Sequence, residues 1–318
     1  MHQAPVVTRP RPRIGIALGA GVARGWAHIG VLRALAERGI APDIVTGCSI
    51  GALVGGVHLA GRLDALEDWA CKLSKLRILG YLDLRMRGGG MIGGHRLIAE
   101  LRQHVGDLRI ETLGSPFAAI TTDLATGHEV WLRDGDLVEA LKASIALPGI
   151  FPPVRVDHRW LVDGALVNPV PVSVCRALGA DVVIAVNLNT DIIGKVRRPA
   201  PLREADGPIP EPAAADSVEV ASGFRLDSLS RRVFQHGYDG PNLFGVMVSS
   251  LAIIQDRISR SRLAGEPPDV HVTPRIGHIG LLEFDRAAEA IAEGAAALVR
   301  SLPELDDAID VFARQYAR

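Results

Sequence analysis

The chain has 318 residues, 48 % hydrophobic and 22 % charged, which suits a globular protein with a sizeable core and excludes a disordered or low-complexity chain. Its formal net charge of −1 supplies no global basic field, so nucleic acid is not an expected partner. Three cysteines, Cys48, Cys71 and Cys175, show no C-x-x-C spacing and suit reduced thiols in a cytoplasmic protein better than a disulfide framework.

In chain order, residues 1–13 are basic but have no apolar stretch behind them. They read as a disordered N-terminus and not as a secretory signal. Ile14 to Leu18 has the length of a buried strand and ends at a glycine-rich loop, Gly19 to Gly25; Trp26 to Arg38 carries apolar residues at helical spacing and stops at Gly39. A second strand, Asp43 to Thr46, precedes a break at Gly47 and a run of small apolar residues. This βαβα order predicts a parallel sheet. Further on, helices are expected at Leu63 to Leu79, Leu97 to Val105 and Leu137 to Ser144, with a hairpin at Phe117 to Leu124 and Glu129 to Arg133. Single strands are expected at Val154 to Val162, Asp181 to Leu188 and Asp269 to Thr273, and a last helix at Phe284 to Leu302, stopped by Pro303. Met86 to His95 is glycine-rich and reads as a surface loop. Residues 194–240 are rich in proline and read as a flexible excursion or a lid inside one domain, 14–318.

Two uncharged stretches raise the question of a membrane span. Ile44 to Gly61 carries five glycines and is too weakly hydrophobic, and Gly240 to Gln255 is too short. The second reads as a core or interface helix, and a homo-oligomer seam is one of its readings. No transmembrane helix is expected; peripheral contact with a membrane stays open.

The chemistry centres on Gly47-Cys48-Ser49-Ile50-Gly51, a G-x-S-x-G at a strand-to-helix junction. Such a turn is sharp enough that side chains two residues before and after the serine would clash. The helix that follows aims its positive end at the serine, which suits developing negative charge there. A serine at that place is also an ordinary helix cap, so the motif alone leaves both readings open. The Gly19 loop fails the dinucleotide fingerprint, because Arg24 stands where the third glycine should be. Its run of backbone N–H groups suits an oxyanion equally well.

A serine hydroxyl needs a base. His271 and His278 lie late in the chain, where a Ser…Asp…His triad would have its histidine. Asp163 is the other candidate: it ends a strand and opens Asp163-Gly164-Ala165, although Asp-Gly is also a plain turn signal.

The glycine loop ending in Arg24-Gly25, the Ser49 motif and Asp163-Gly164-Ala165, in that order, resemble the patatin-like phospholipases. The resemblance is to the bacterial branch similar to the catalytic domain of neuropathy target esterase. Ala27 to Leu32, Thr121 to Leu124, Ala143-Ser144 to Pro148 and Phe151 to Val154 are similar to that branch too. The resemblance implies a three-layer α/β fold with a mostly parallel central sheet flanked by helices on both faces. It implies a lipid-ester hydrolase with Ser49 as nucleophile, Asp163 as base and no cofactor or metal, acting on lipid at a membrane or micelle surface. Oxyanion-hole N–H groups fall at Ala20, Gly21 and Val22, supported by Gly19, Arg24, Gly25, Gly47, Gly51 and Gly164. The family loop usually carries three glycines there; this chain has Ala20 and Val22 in place of two, and valine avoids positive φ. Arg24 is expected to steady the loop or attract anionic head groups. Two rivals remain: an idle lipid- or partner-binding member of the same fold, and a histidine-containing triad.

Overall fold

The computed structural model describes residues 11–81, 94–190 and 243–316. Their strands are β1 (Ile14–Leu18), β2 (Ile44–Cys48), β3 (Phe117–Asp123), β4 (Glu129–Leu132), β5 (Val154–Val156), β6 (Arg159–Asp163), β7 (Val182–Val186) and β8 (Val270–Val272). They form one sheet in the order β5-β6-β3-β2-β1-β7-β8, with β4 also paired to β3. From β3 to β8 every neighbour is parallel, whereas β4, β5 and β6 add an antiparallel edge.

The alternation along the strands sorts the two faces. In β1, Ile14, Ile16 and Leu18 sit in register with Val182, Ile184 and Val186 of β7, and this face carries the main core. Covering it are α1 (Ala27–Glu37), α2 (Ile50–Leu59), α3 (Leu63–Cys71), α5 (His95–Val105), α6 (Leu137–Ser144) and the long α9 (Ala287–Tyr316); α4 (Lys75–Tyr81) packs beside α5. The opposite face offers smaller side chains, Ala17, Val183 and Ala185, to Val172 and Cys175 of α7 (Val172–Ala177). Helices on both faces of a mostly parallel sheet make a three-layer α/β fold. At its second covering helix, α8 (Leu243–Gly265), the chain packs over the turn that follows β6.

Close packing of α1 on α9 depends on two glycines. A Cβ on Gly30 would collide with the Ile291 carbonyl, and one on Gly294 with the Ala27 carbonyl. Each helix thus presents a bare backbone patch to the other.

Several elements depart from the sequence reading. Residues 1–10 lie outside the described residues, but Arg11 to Arg13 are ordered by two carboxylates: Arg11 forms a bidentate pair with Asp43, and the Arg13 N–H donates to Asp181 Oδ2 at 2.7 Å. The helix expected over Leu63 to Leu79 is split into α3 and α4. The strand expected over Val154 to Val162 is a hairpin, turning at Asp157 and His158 with φ of 44° and 67°. Pro303 does not end the last helix. Leu305 is buried, and Ile309 and Phe312 pack against the main core, so tertiary contacts carry the helix past a residue that removes one backbone bond. The α7 helix was not anticipated. The excursion or lid expected at 194–240 lies outside the described residues, as does all but Gly94 and His95 of the glycine-rich loop. Among the described residues, no helix is long and apolar enough to cross a membrane.

Candidate active site

Ser49 stands alone between β2 and α2, with φ 56° and ψ −125°. That conformation costs a non-glycine residue on the order of 1–3 kcal/mol, so the surroundings must enforce it. They do so in two ways. The Ser49 N–H donates to Ser144 Oγ at 2.9 Å, and the Ser144 hydroxyl donates to the Ile120 carbonyl at 2.7 Å. Gly47 and Gly51 let the chain close on itself: a Cβ on Gly47 would strike the Ala52 backbone, and one on Gly51 the Leu18 carbonyl. Ser49 is only 7 % exposed.

Asp163 arrives from the antiparallel edge. It ends β6 in register with Thr121 of β3, its N–H donates to Ala146 O at 3.0 Å, and its carbonyl accepts from Thr122 Oγ1 at 2.9 Å. The Ser49 hydroxyl donates to Asp163 Oδ2 at 2.6 Å, and the Ala165 N–H donates to Oδ1 at 2.9 Å. Gly164 opens the short 3-10 turn that brings Ala165 back to the carboxylate. Burial pushes the Asp163 carboxyl up to about 6, although the hydrogen bonds from Ser49 and Ala165 pull the other way. At neutral pH it is therefore mostly ionised yet more basic than an ordinary carboxylate. Cys48 is fully buried, with Sγ 3.9 Å from Asp163 Oδ1; burial first and that carboxylate second push its thiol well above the usual range. It is therefore a neutral thiol at neutral pH.

The glycine loop lies beside this pair and is held from several sides. Gly19 N–H donates to Val186 O at 3.0 Å, and the Gly19 carbonyl accepts from His28 Nε2 at 2.7 Å. Burial drives His28 down to about 4, so its ring is neutral at working pH. Ala20 departs from its expected role: its N–H is engaged by the Pro169 carbonyl at 2.9 Å. The N–H groups that the loop leaves without a recorded partner among the described residues are those of Gly21 and Val22. Val22 sits at φ 53°, the left-handed region that β-branched residues avoid. Its side chain packs against the buried cluster of Leu147, Ile150 and Val248 of α8. Arg24 and Gly25 continue into a 3-10 turn, Val22–Trp26. Arg24 is buried and donates from Nε to Ile279 O at 2.7 Å. Its Nη2 also donates to Gly277 O at 3.4 Å, and these bonds tie the loop to the segment after β8.

Neither candidate histidine bonds to Ser49 or Asp163. His278 is exposed and bound to Glu289 Oε1 at 2.6 Å, and His271 is on β8, three strands from β2. Among the described residues, no group of three or more His, Cys, Asp or Glu side chains is placed to hold a metal ion.

A family model for patatin-like phospholipase matches residues 16–176, a span that contains the loop, Ser49, Ser144 and Asp163. The chain belongs to the patatin-like phospholipase family. An uncharacterized NTE family protein of Mycobacterium tuberculosis is 35 % identical over 96 % of this chain and 97 % of its own length. Neuropathy target esterase sws of Drosophila melanogaster is 35 % identical over 56 % of this chain and 13 % of that protein. The patatin-like phospholipase domain-containing protein 7 of Rattus norvegicus is 36 % identical over 56 % of this chain and 14 % of that protein. Membership places this patatin-like chain among lipid hydrolases in general. Two of its site residues had no assigned role from sequence: Ser144, which braces the Ser49 amide, and His28, which braces the loop. Both lie in stretches that carried the family resemblance, and that was the available signal.

Proposed function

We propose that this patatin-like protein is a serine acyl-hydrolase of lipid esters, phospholipid or lysophospholipid among them, working through a Ser49–Asp163 dyad. The observation that carries the reading is the 2.6 Å hydrogen bond from Ser49 Oγ to Asp163 Oδ2 inside a buried site. A raised carboxyl beside a strained serine supplies base and nucleophile within bonding distance.

In the proposed sequence, Asp163 takes the hydroxyl proton as Ser49 Oγ attacks the ester carbonyl carbon. The oxyanion is met by the N–H groups of Gly21 and Val22 and by the positive end of α2. The tetrahedral intermediate collapses to an acyl-Ser49, and the leaving alcohol or lysolipid departs with the proton from Asp163. Water then attacks the acyl carbon while Asp163 accepts its proton; the second tetrahedral intermediate breaks its bond to Ser49 Oγ, Asp163 returns the proton to that oxygen, and the fatty acid is released. Exposed apolar side chains on α8, Val246, Ile253 and Ile254, favour encounter with the substrate at a membrane or micelle surface.

The test is turnover of phospholipid, lysophospholipid and simple carboxylic esters by wild type, Ser49→Ala and Asp163→Asn. Wild-type hydrolysis should vanish in Ser49→Ala and fall by about 10²–10⁴-fold in Asp163→Asn, the usual worth of general-base assistance. An Asp163→Asn variant that keeps most of its rate contradicts the dyad.

A further inference from the structure

We infer that the outer face of α8 and the tip of the β5–β6 hairpin form a docking surface for membranes rich in anionic phospholipid. The inference rests on the hydrolase reading above in one respect, that the substrate is a lipid. α8 is amphipathic in the reverse sense from a helix that only covers a core. At its middle Ile253 and Ile254 are about half exposed, whereas Gln255, Asp256 and Ser259 are buried. Two of these inward polar groups are bonded within the helix: Asp256 accepts from Arg260 Nε at 2.9 Å, and Ser259 Oγ donates to the Gln255 carbonyl at 2.7 Å. Val246, two turns before Ile253, extends the exposed apolar stripe, and Arg257, one turn after it, ends the stripe on an exposed cation. An outward apolar stripe that grades into arginine suits a helix lying in the head-group layer, with its apolar part sunk and its guanidinium among phosphates. The same helix reaches the site, since Val248 belongs to the cluster on which Val22 packs.

The hairpin is tied to the site by strand register. On β3, Ile120 stands opposite Cys48 and the next residue, Thr121, opposite Asp163. β6 therefore begins beyond the end of β2 and runs back toward Ser49. Trp160 lies three residues before Asp163, about 10 Å further out at about 3.3 Å per residue. There its carbonyl accepts from the Leu124 N–H at 2.8 Å, and the two side chains are 52 % and 54 % exposed. A half-exposed tryptophan beside a half-exposed leucine suits the boundary between head groups and acyl chains. Arg155, opposite Trp160 in register, and Arg159 are exposed, and neither they nor Arg257 has an acidic partner among the described residues. In the run Arg155 to Trp160 the one acid is Asp157. The chain as a whole carries a net charge of −1, so this excess of arginine is local. It complements an anionic surface, whereas a second copy docked face to face would bring like charges together.

The experiment measures co-sedimentation of the full chain with vesicles of ether-linked phosphatidylcholine, alone or mixed with an equal part of ether-linked phosphatidylglycerol. Ether lipids carry no carboxylic ester, so turnover cannot alter the surface during the measurement. Wild type should bind the mixed vesicles at least about tenfold more tightly, and Arg159→Gln and Arg257→Gln should each weaken that binding about fivefold, the worth of one cation near an anionic membrane. The preference should vanish at about 1 M salt, where screening acts beyond about 3 Å. Ile253→Ser and Trp160→Ser should weaken binding to both kinds of vesicle, whereas Val311→Ser, at an equally exposed valine of α9, should change neither. All five variants should turn over the soluble ester p-nitrophenyl butyrate at the wild-type rate. A wild type that binds neither vesicle or both equally, or arginine variants that bind as wild type does, overturns the docking surface and leaves the hydrolase reading standing. A dimer that Ile253→Ser splits into monomers, with no vesicle binding, overturns it as well and assigns the face to a second copy. Vesicle binding as expected, by a protein that neither turns over the ester nor labels at Ser49, supports the surface and overturns the hydrolase reading alone.

Discussion

Ser144 shows how far the strained backbone of Ser49 is held by a single neighbouring side chain. Its hydroxyl accepts from the Ser49 N–H and donates to the Ile120 carbonyl, all within a fully buried pocket. Ser144→Ala removes both partners at once, and an orphaned buried group costs about 1–3 kcal/mol. We expect a lower urea midpoint and a kcat that falls by more than tenfold with KM little changed, since the loss concerns the placement of Ser49 rather than substrate contacts. Equal loss of stability with unchanged kcat in the folded protein would assign Ser144 to the fold alone. At this scale the sequence was informative where spacing constrains the backbone, as at Gly47 and Gly51. It was silent where a single hydrogen bond decides. Ala20 has the right position for an oxyanion donor, but its N–H is taken by Pro169 some 150 residues away in sequence, a contact no local pattern encodes. Val22 was legible as a misfit, and the loop nevertheless holds it at positive φ because α8 and the Leu147 segment pack on its side chain.

Among the elements, those with strong periodicity and ordinary ends were readable: β1, β2, β7 and α6 lie within a residue or two of where the pattern placed them. The hairpin β5–β6 was not, because its turn is Asp157-His158 where the common signal is Asn-Gly or Asp-Gly. Pro303 misled for the opposite reason, since a strong local stop signal lost to packing on either side. The α1–α9 crossing makes a prediction of its own. Gly294→Ala places a methyl group against the Ala27 carbonyl and must push the two helices apart. Overpacking of this kind costs about 1–3 kcal/mol. The variant should unfold at a lower urea concentration with an unchanged denaturant slope, and a wild-type midpoint would show that the crossing is looser than described.

For the whole molecule, the site is placed where the parallel core meets its antiparallel edge. β2 and the β1 loop bring Ser49 and the Gly21 and Val22 N–H groups, and β6 brings the Asp163 carboxylate from the other direction. Holding that carboxylate dry has a consequence for stability. Asp163 titrates near 6 in the fold against 3.8 as its ordinary value, so between those values the folded state binds the proton more tightly than the unfolded chain. Stability from this group therefore declines as pH rises through that window, by about 3 kcal/mol at 1.36 kcal/mol per pH unit, and the deficit persists above pH 6. His28 works in the opposite sense: its folded value is depressed to about 4, so its contribution is lost as pH falls from 6.5. Comparing wild type with Asp163→Asn cancels His28. The variant should be the more stable protein at pH 7.5, and its advantage should shrink toward zero below pH 4. A variant less stable at pH 7.5 would mean that the carboxylate is better solvated than its burial implies.

The most direct test of the Ser49–Asp163 dyad is the rate of labelling by a fluorophosphonate probe as a function of pH. Wild type should label at Ser49 with a rate that rises through a midpoint near pH 6, following ionisation of Asp163. Ser49→Ala should not label, and Asp163→Asn should label slowly with no such midpoint. A folded wild type that does not label, or one whose rate is the same in Asp163→Asn across the whole range, contradicts the dyad.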